Sequence, residues 1–150
     1  MVAATIRPDA WNLPLFVHVA GAMLLVGALV VVAASMGGAL RRGEGAEVLT
    51  GLAYRALLMG VLPAYIVMRV GAEWIASEED VPDDAGWIGI GYSTADGGLL
   101  LTIIAAVVAW RATRRGPDGP GGLGRAVLIL AAVLLVAYAF AIWAMTAKPD

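Results

Sequence analysis

Four long apolar segments constrain the fold of this chain more than any other feature. They cover about residues 13–40, 48–75, 86–110 and 124–145. A helix needs ~20 apolar residues to cross the hydrocarbon layer of a membrane, and each segment is long enough. Only 15% of the residues are charged and 61% are hydrophobic, whereas about a quarter of a soluble domain is charged. The sequence therefore predicts an all-α membrane protein, in which residues 1–150 form a single antiparallel four-helix transmembrane bundle.

Basic residues are unevenly distributed among the connections between these segments. Seven of the ten flank the first and third connections: Arg41, Arg42, Arg55, Arg111, Arg114, Arg115 and Arg125. The second connection, residues 77–85, has five acidic residues and no basic one. Because Lys and Arg are retained on the cytoplasmic side, we expect this loop and both termini to lie outside. The richness in Ala, Gly, Val and Arg fits a high-GC bacterial genome, and the expected location is the bacterial cytoplasmic membrane.

Small residues and one proline predict how the helices approach one another. The first segment has two stripes of small residues at heptad spacing: Ala20, Gly27, Ala34 and Gly21, Ala28, Ser35. Such stripes let helix backbones come close in lipid. Pro63 removes one helical hydrogen bond, so a kink is expected between Met59 and Pro63. The glycine-rich residues 116–124 are expected to form a turn.

Ionisable residues within a membrane span are costly and are candidates for function. Four fall in the outer third of the predicted spans or at its edge: His18, Arg69, Glu73 and Asp96. Their spacing brings two tyrosines onto the same helix faces. Tyr65, Arg69 and Glu73 follow one another at four-residue intervals, and Tyr92 lies four residues before Asp96. We expect an Arg69–Glu73 pair, with Asp96 as a second carboxylate for the same guanidinium.

Two interpretations of these six residues stay open. In the first, the charges form a fixed ion network between helices, and His18 is a hydrogen-bonded core histidine. In the second, the same residues form an outward-facing polar pocket. The candidate ligand-binding residues are His18, Arg69, Glu73, Asp96, Tyr65 and Tyr92.

Several kinds of chemistry are excluded or disfavoured by composition. The absence of cysteine excludes disulfides, thiolate metal sites and iron–sulfur clusters. His18 is the single histidine, so one chain cannot supply two histidine ligands to a haem. The acidic loop lacks the ordered spacing of a calcium loop, and no nucleotide-binding or hydrolase motif is present. No cofactor is implied, and the basic residues determine topology rather than contact nucleic acid.

The segment LFVHVAGAMLLVGA, with His18, Gly21 and Gly27, resembles the opening helix of copper-resistance D-type membrane proteins. It covers about a tenth of the chain, and the Trp-Gly-Gly end and further histidines of that family are missing. The whole hydropathy pattern is similar to uncharacterised small four-helix membrane proteins of actinobacteria. The first resemblance implies copper handling, and the second implies no function; the metal is unknown, with His18 the only histidine that could bind one.

Three functional hypotheses follow. The leading one is a non-enzymatic membrane protein that binds or passes a small polar species or ion at an outward-facing site. The second is an accessory or assembly subunit of a larger membrane complex. The third is a metal- or haem-binding membrane protein. The expected partners are the lipid bilayer and either further copies of the chain or a larger complex.

Overall fold

The fold is helical, with short turns and no strand, in the part of the chain that the computed structural model describes, residues 9–41, 43–79, 86–116 and 119–147. A short 3-10 turn, Asp9–Trp11, precedes helices α1 (Asn12–Arg41), α2 (Ala46–Ala56), α3 (Leu62–Glu79), α4 (Gly86–Thr113) and α5 (Gly121–Ala147). The π-helical segment Leu57–Val61 joins α2 to α3 without a break. The predicted all-α class is confirmed.

Four helical spans are long and apolar enough to cross a membrane: Asn12–Arg41, Ala46–Glu78, Ile88–Thr113 and Gly121–Ala147. These spans coincide with the four predicted segments. The helices extend a few residues beyond most of the predicted ends, because polar residues can also form helical backbone hydrogen bonds.

The predicted turn over residues 116–124 was too long, since α5 already begins at Gly121. Positive φ angles of 57° at Gly116 and 74° at Gly119 reverse the chain before that point. Gly124 is helical and packs against Pro120 and Met36. Tertiary packing here outweighs the low helix propensity of glycine.

A π-helical segment, Leu57–Val61, ends two residues before Pro63, in the region where the sequence predicted a kink. Proline lacks an N–H, so the carbonyl of Met59 loses its helical donor. A π turn relaxes the helix around such a gap. Gly60, inside this segment, lies against α1. A Cβ added at Gly60 would be only 2.9 Å from the Cβ of Ala28.

Helices α1 and α3 approach each other closely and run in opposite chain directions where they meet. A Cβ added to Gly21 would lie 2.7 Å from Cα of Met68, and one added to Gly71 would lie 2.7 Å from Cα of His18. Near the ends of the two helices, Trp11 Nε1 donates a hydrogen bond to the carbonyl of Glu78 at 3.2 Å. Glycine is required at both crossing positions because backbone occupies the space of a side chain.

The remaining contacts arrange the four spans around a common core. α1 also packs against α2 and α5, and α4 packs mainly against α5 and then α2. α3 and α4 touch at few points. The side chains of Leu25, Leu29, Leu57 and Leu134 are almost fully buried in the core between the spans.

The outer surface of the packed helices is strongly apolar. Large hydrophobic side chains are exposed on all four spans, among them Phe16, Met23, Val48, Met59 and Val136. In water, a surface of this kind would expose far more apolar area than a soluble monomer does.

Candidate functional site

A pocket of about 70 Å³ lies between α1, α3, α4 and α5. The pocket is near one end of the packed helices, where α3 stops at Glu79 and α4 starts at Gly86. We name this the α3–α4 end. The walls of the pocket are mainly apolar side chains such as Leu25, Met68 and Ile142. The polar side chains among its lining residues are His18, Arg69, Tyr92, Thr94 and Tyr138.

His18 comes from α1 and is fixed in one tautomer by its neighbour on α3. Its Nδ1 lies 2.9 Å from the carbonyl oxygen of Met68. A carbonyl only accepts, so Nδ1 carries the proton and donates. In the neutral imidazole, Nε2 is then left as an acceptor. Nε2 makes no hydrogen bond to any residue that the structure describes.

Arg69 links α3 to α4 at the rim of the pocket. Its Nη2 lies 3.1 Å from Oε1 of Glu73 on the same helix and 3.8 Å from Oδ1 of Asp96 on α4. Its Cζ is 4.3 Å from the centre of the Tyr92 ring. The pairing expected from the four-residue spacing and from the depth of Asp96 is therefore present.

The two carboxylates lie on the outer side of this cluster. The side chains of Glu73 and Asp96 are 54% and 67% exposed, whereas that of Arg69 is 28% exposed. Neither carboxylate lines the pocket. With one guanidinium and two carboxylates, the ionised cluster carries one excess negative charge.

Tyr138 is a pocket residue that the sequence analysis missed. It lies in the C-terminal half of α5, is only 5% exposed, and its hydroxyl has no hydrogen-bond partner among the described residues. A buried hydroxyl without a partner costs about 1–3 kcal/mol. The phenol fits because Gly98 of α4 has no side chain: a Cβ there would lie 2.9 Å from Cζ of Tyr138 and contact the hydroxyl.

The six residues singled out from the sequence lie at the same end of the structure and have different surroundings. His18, Arg69 and Tyr92 line the pocket, and Glu73 and Asp96 contact Arg69 from outside. Tyr65 is buried, within electrostatic range of Arg69 and Asp96, and does not line the pocket.

Within the described ranges, no group of three or more His, Asp or Glu residues is arranged to hold a metal ion. His18 offers one nitrogen, since Nδ1 is engaged by Met68. The described residues thus supply one nitrogen ligand and no preformed metal site at this pocket.

Comparisons of the chain with protein-family models, with curated proteins and with solved structures found no match. The resemblance of the first helix to copper-resistance D-type proteins therefore stays a prediction.

Proposed function

We propose that this chain is a non-enzymatic membrane protein that binds or passes a small polar molecule at an outward-facing pocket. The observation that carries the proposal is the hydroxyl of Tyr138, which is buried beside a pocket without a partner. A ligand that hydrogen-bonds this hydroxyl would remove the free-energy penalty of burying it unpaired.

The proposed setting is an antiparallel four-helix transmembrane bundle in a bacterial cytoplasmic membrane. Support comes from the four apolar spans and from their exposed large hydrophobic side chains. The basic residues Arg41, Arg55, Arg111 and Arg125 lie towards the end opposite the pocket, whereas the acidic residues 80, 83 and 84 fall in the sequence between α3 and α4 and outside the described residues. By the positive-inside rule, the pocket and both termini then face outward.

Cysteine reporters test this orientation, because the chain has no cysteine of its own. Ser77 and Glu44 are exposed at opposite ends of the structure. In intact cells we expect a membrane-impermeant maleimide to label Ser77→Cys and to spare Glu44→Cys until the membrane is permeabilised. Labelling of Glu44→Cys and not of Ser77→Cys in intact cells would show the opposite topology.

The size of the pocket limits what it takes. Its volume of about 70 Å³ is roughly half that of an engineered cavity of ~150 Å³ that binds benzene. The site therefore suits a molecule of a few heavy atoms or one end of a longer molecule. The charge of Arg69 is matched by Glu73 and Asp96, so no unbalanced positive charge is present to favour an anion.

Binding can be measured by filling the pocket. Ala141 lines it, whereas Ala132 of the same helix is exposed on the surface. We expect saturation-transfer NMR in nanodiscs to detect at least one of butanol, acetamide, methylammonium and acetate. The signal should be lost in Ala141→Leu and kept in the matched control Ala132→Leu. Equal signals for every probe in wild type and Ala141→Leu would refute pocket binding.

The accessory-subunit hypothesis has its own support in the cross-helix link from Arg69 to Asp96. A closed ion network needs no ligand and locks two helices in register. Purification from native membranes separates the two proposals. A stoichiometric partner protein favours an accessory subunit, and a homogeneous preparation of this chain alone argues against it.

A further inference from the structure

Two polar side chains that line the pocket, Tyr138 and His18, carry complementary hydrogen-bonding capacity. Tyr138 is 5% exposed and its hydroxyl is unpartnered among the described residues. That hydroxyl can both donate and accept. Nε2 of His18 can only accept while the imidazole is neutral, because Met68 fixes the proton on Nδ1. A ligand that uses the Tyr138 O–H as donor and Nε2 as acceptor must offer both an acceptor and a donor.

The walls determine the rest of the ligand. Leu25, Val26, Met68, Ala141, Ile142 and Met145 surround the polar groups with hydrocarbon and thioether surface. Burying apolar ligand atoms against such walls is favourable. Burying a charged ligand there would cost far more, unless an opposite charge lay beside it.

The excess negative charge of the Arg69 cluster lies on Glu73 and Asp96, which do not line the pocket. The described lining residues include no carboxylate, so an organic cation would meet the guanidinium of Arg69 instead of an anion. An anion would have to displace Glu73 or Asp96 from Arg69. Both signs of charge are therefore disfavoured in the pocket.

We infer that the pocket binds a neutral alcohol, with its hydroxyl held by Tyr138 and His18 and its short hydrocarbon body against the apolar walls. This inference rests on the proposed function and names the class of ligand. The alcohol accepts a hydrogen bond from the Tyr138 hydroxyl and donates one to Nε2 of His18. A ketone would satisfy Tyr138 alone, because it has no proton to give to the histidine.

A photoreactive alcohol tests this class directly. The probe is butanol carrying a diazirine, and its control is the same diazirine alkane without the hydroxyl. Each is irradiated with the full-length protein in nanodiscs, and the adducts are located by mass spectrometry. We expect the alcohol to form adducts on pocket residues, competed by excess butanol, and the alkane to label them far less.

Substitution of the hydroxyl-binding residue sharpens the test. Tyr138→Phe should reduce adduct formation by the alcohol about two- to tenfold, the range expected for one lost neutral hydrogen bond. Tyr54→Phe is the matched control, since Tyr54 does not line the pocket, and should label as wild type. Size-exclusion profiles and thermal unfolding verify that both variants are folded.

The outcomes separate the two proposals. If alcohol and alkane label the pocket equally and Tyr138→Phe changes nothing, the alcohol inference is wrong while pocket binding stands. If acetamide or methylammonium binds in an Ala141→Leu-sensitive manner and the alcohol does not, the ligand class is likewise wrong. If no probe reaches the pocket, the proposed function fails with it.

Discussion

Gly21→Ala and Gly71→Ala are each expected to destabilise the protein by about 1–3 kcal/mol, the usual cost of overpacking a tight contact. In both positions the new Cβ would lie 2.7 Å from a Cα atom of the facing helix, Met68 in one case and His18 in the other. Backbone atoms cannot rotate away as a flexible side chain can, so α1 and α3 must separate. Thermal unfolding of the purified protein measures the effect.

Gly27→Ala is the matched control, because a Cβ added to Gly27 on α1 would meet no atom within 4 Å. Alanine favours a helix over glycine by about 0.5–1 kcal/mol, so this variant should be as stable as wild type or slightly more so. Equal destabilisation by Gly27→Ala and Gly21→Ala would contradict the close crossing of α1 and α3.

The two crossing glycines should also be coupled. A single separation of the helices relieves both clashes, so the double variant Gly21→Ala/Gly71→Ala should cost less than the sum of the single variants. The same separation moves His18 away from Met68, whose carbonyl holds its Nδ1 at 2.9 Å. Pocket labelling should therefore fall together with stability.

These glycines show why the fold was predictable in part. The length and apolarity of the four segments were enough to predict four spans, because a span needs only one continuous run of residues. Which face of α1 points inward was not predictable, because both of its small-residue stripes have the same spacing. The structure buries Gly21 and Ser35 and leaves Gly27 and Ala34 exposed, a choice that depends on the shape of α3.

At the pocket too, contacts within one helix were predictable from the sequence, and a contact set by the packing of two helices was not. The Arg69–Glu73 pair follows from a spacing within one helix, and the contact with Asp96 follows from comparing depths in two helices. Tyr138 carries no charge at neutral pH, so a search for ionisable groups at membrane depth passes over it. The hydroxyl of Tyr138 is buried against Gly98, which lies 40 positions earlier in the chain. This contact is set by how α4 is rotated about its axis relative to α5, which the sequence of α5 alone does not reveal. A tyrosine within an apolar helix was the available signal, since a buried phenol normally has a partner.

Arg69→Met is expected to destabilise the protein by about 2 kcal/mol, between the value for an exposed ion pair and that for a charge at the bilayer centre. The substitution keeps a long flexible side chain and removes the guanidinium that holds Glu73 at 3.1 Å and Asp96 at 3.8 Å. Two neighbouring carboxylates are then left without a counter-charge. Equilibrium unfolding in mixed micelles gives the free energy.

The triple variant Arg69→Met/Glu73→Gln/Asp96→Asn separates the ion network from side-chain packing. With all three charges removed, no carboxylate of the cluster lacks a counter-charge, so we expect most of the lost stability to return. Arg69→Lys should fall between wild type and Arg69→Met, because an ammonium keeps the charge without the planar fork that reaches two carboxylates and stacks on Tyr92.

Arg114→Met is the matched control for this series. Arg114 stacks on the ring of Trp110, with its Cζ 4.9 Å from the ring centre, and forms no ion pair within the described ranges. Its loss should change stability by less than about 1 kcal/mol, as for an exposed cation–π contact. The contrary result is that Arg69→Met proves no more destabilising than Arg114→Met. That result would show that the ion network does not hold α3 to α4, and that the few other contacts between these helices keep them together.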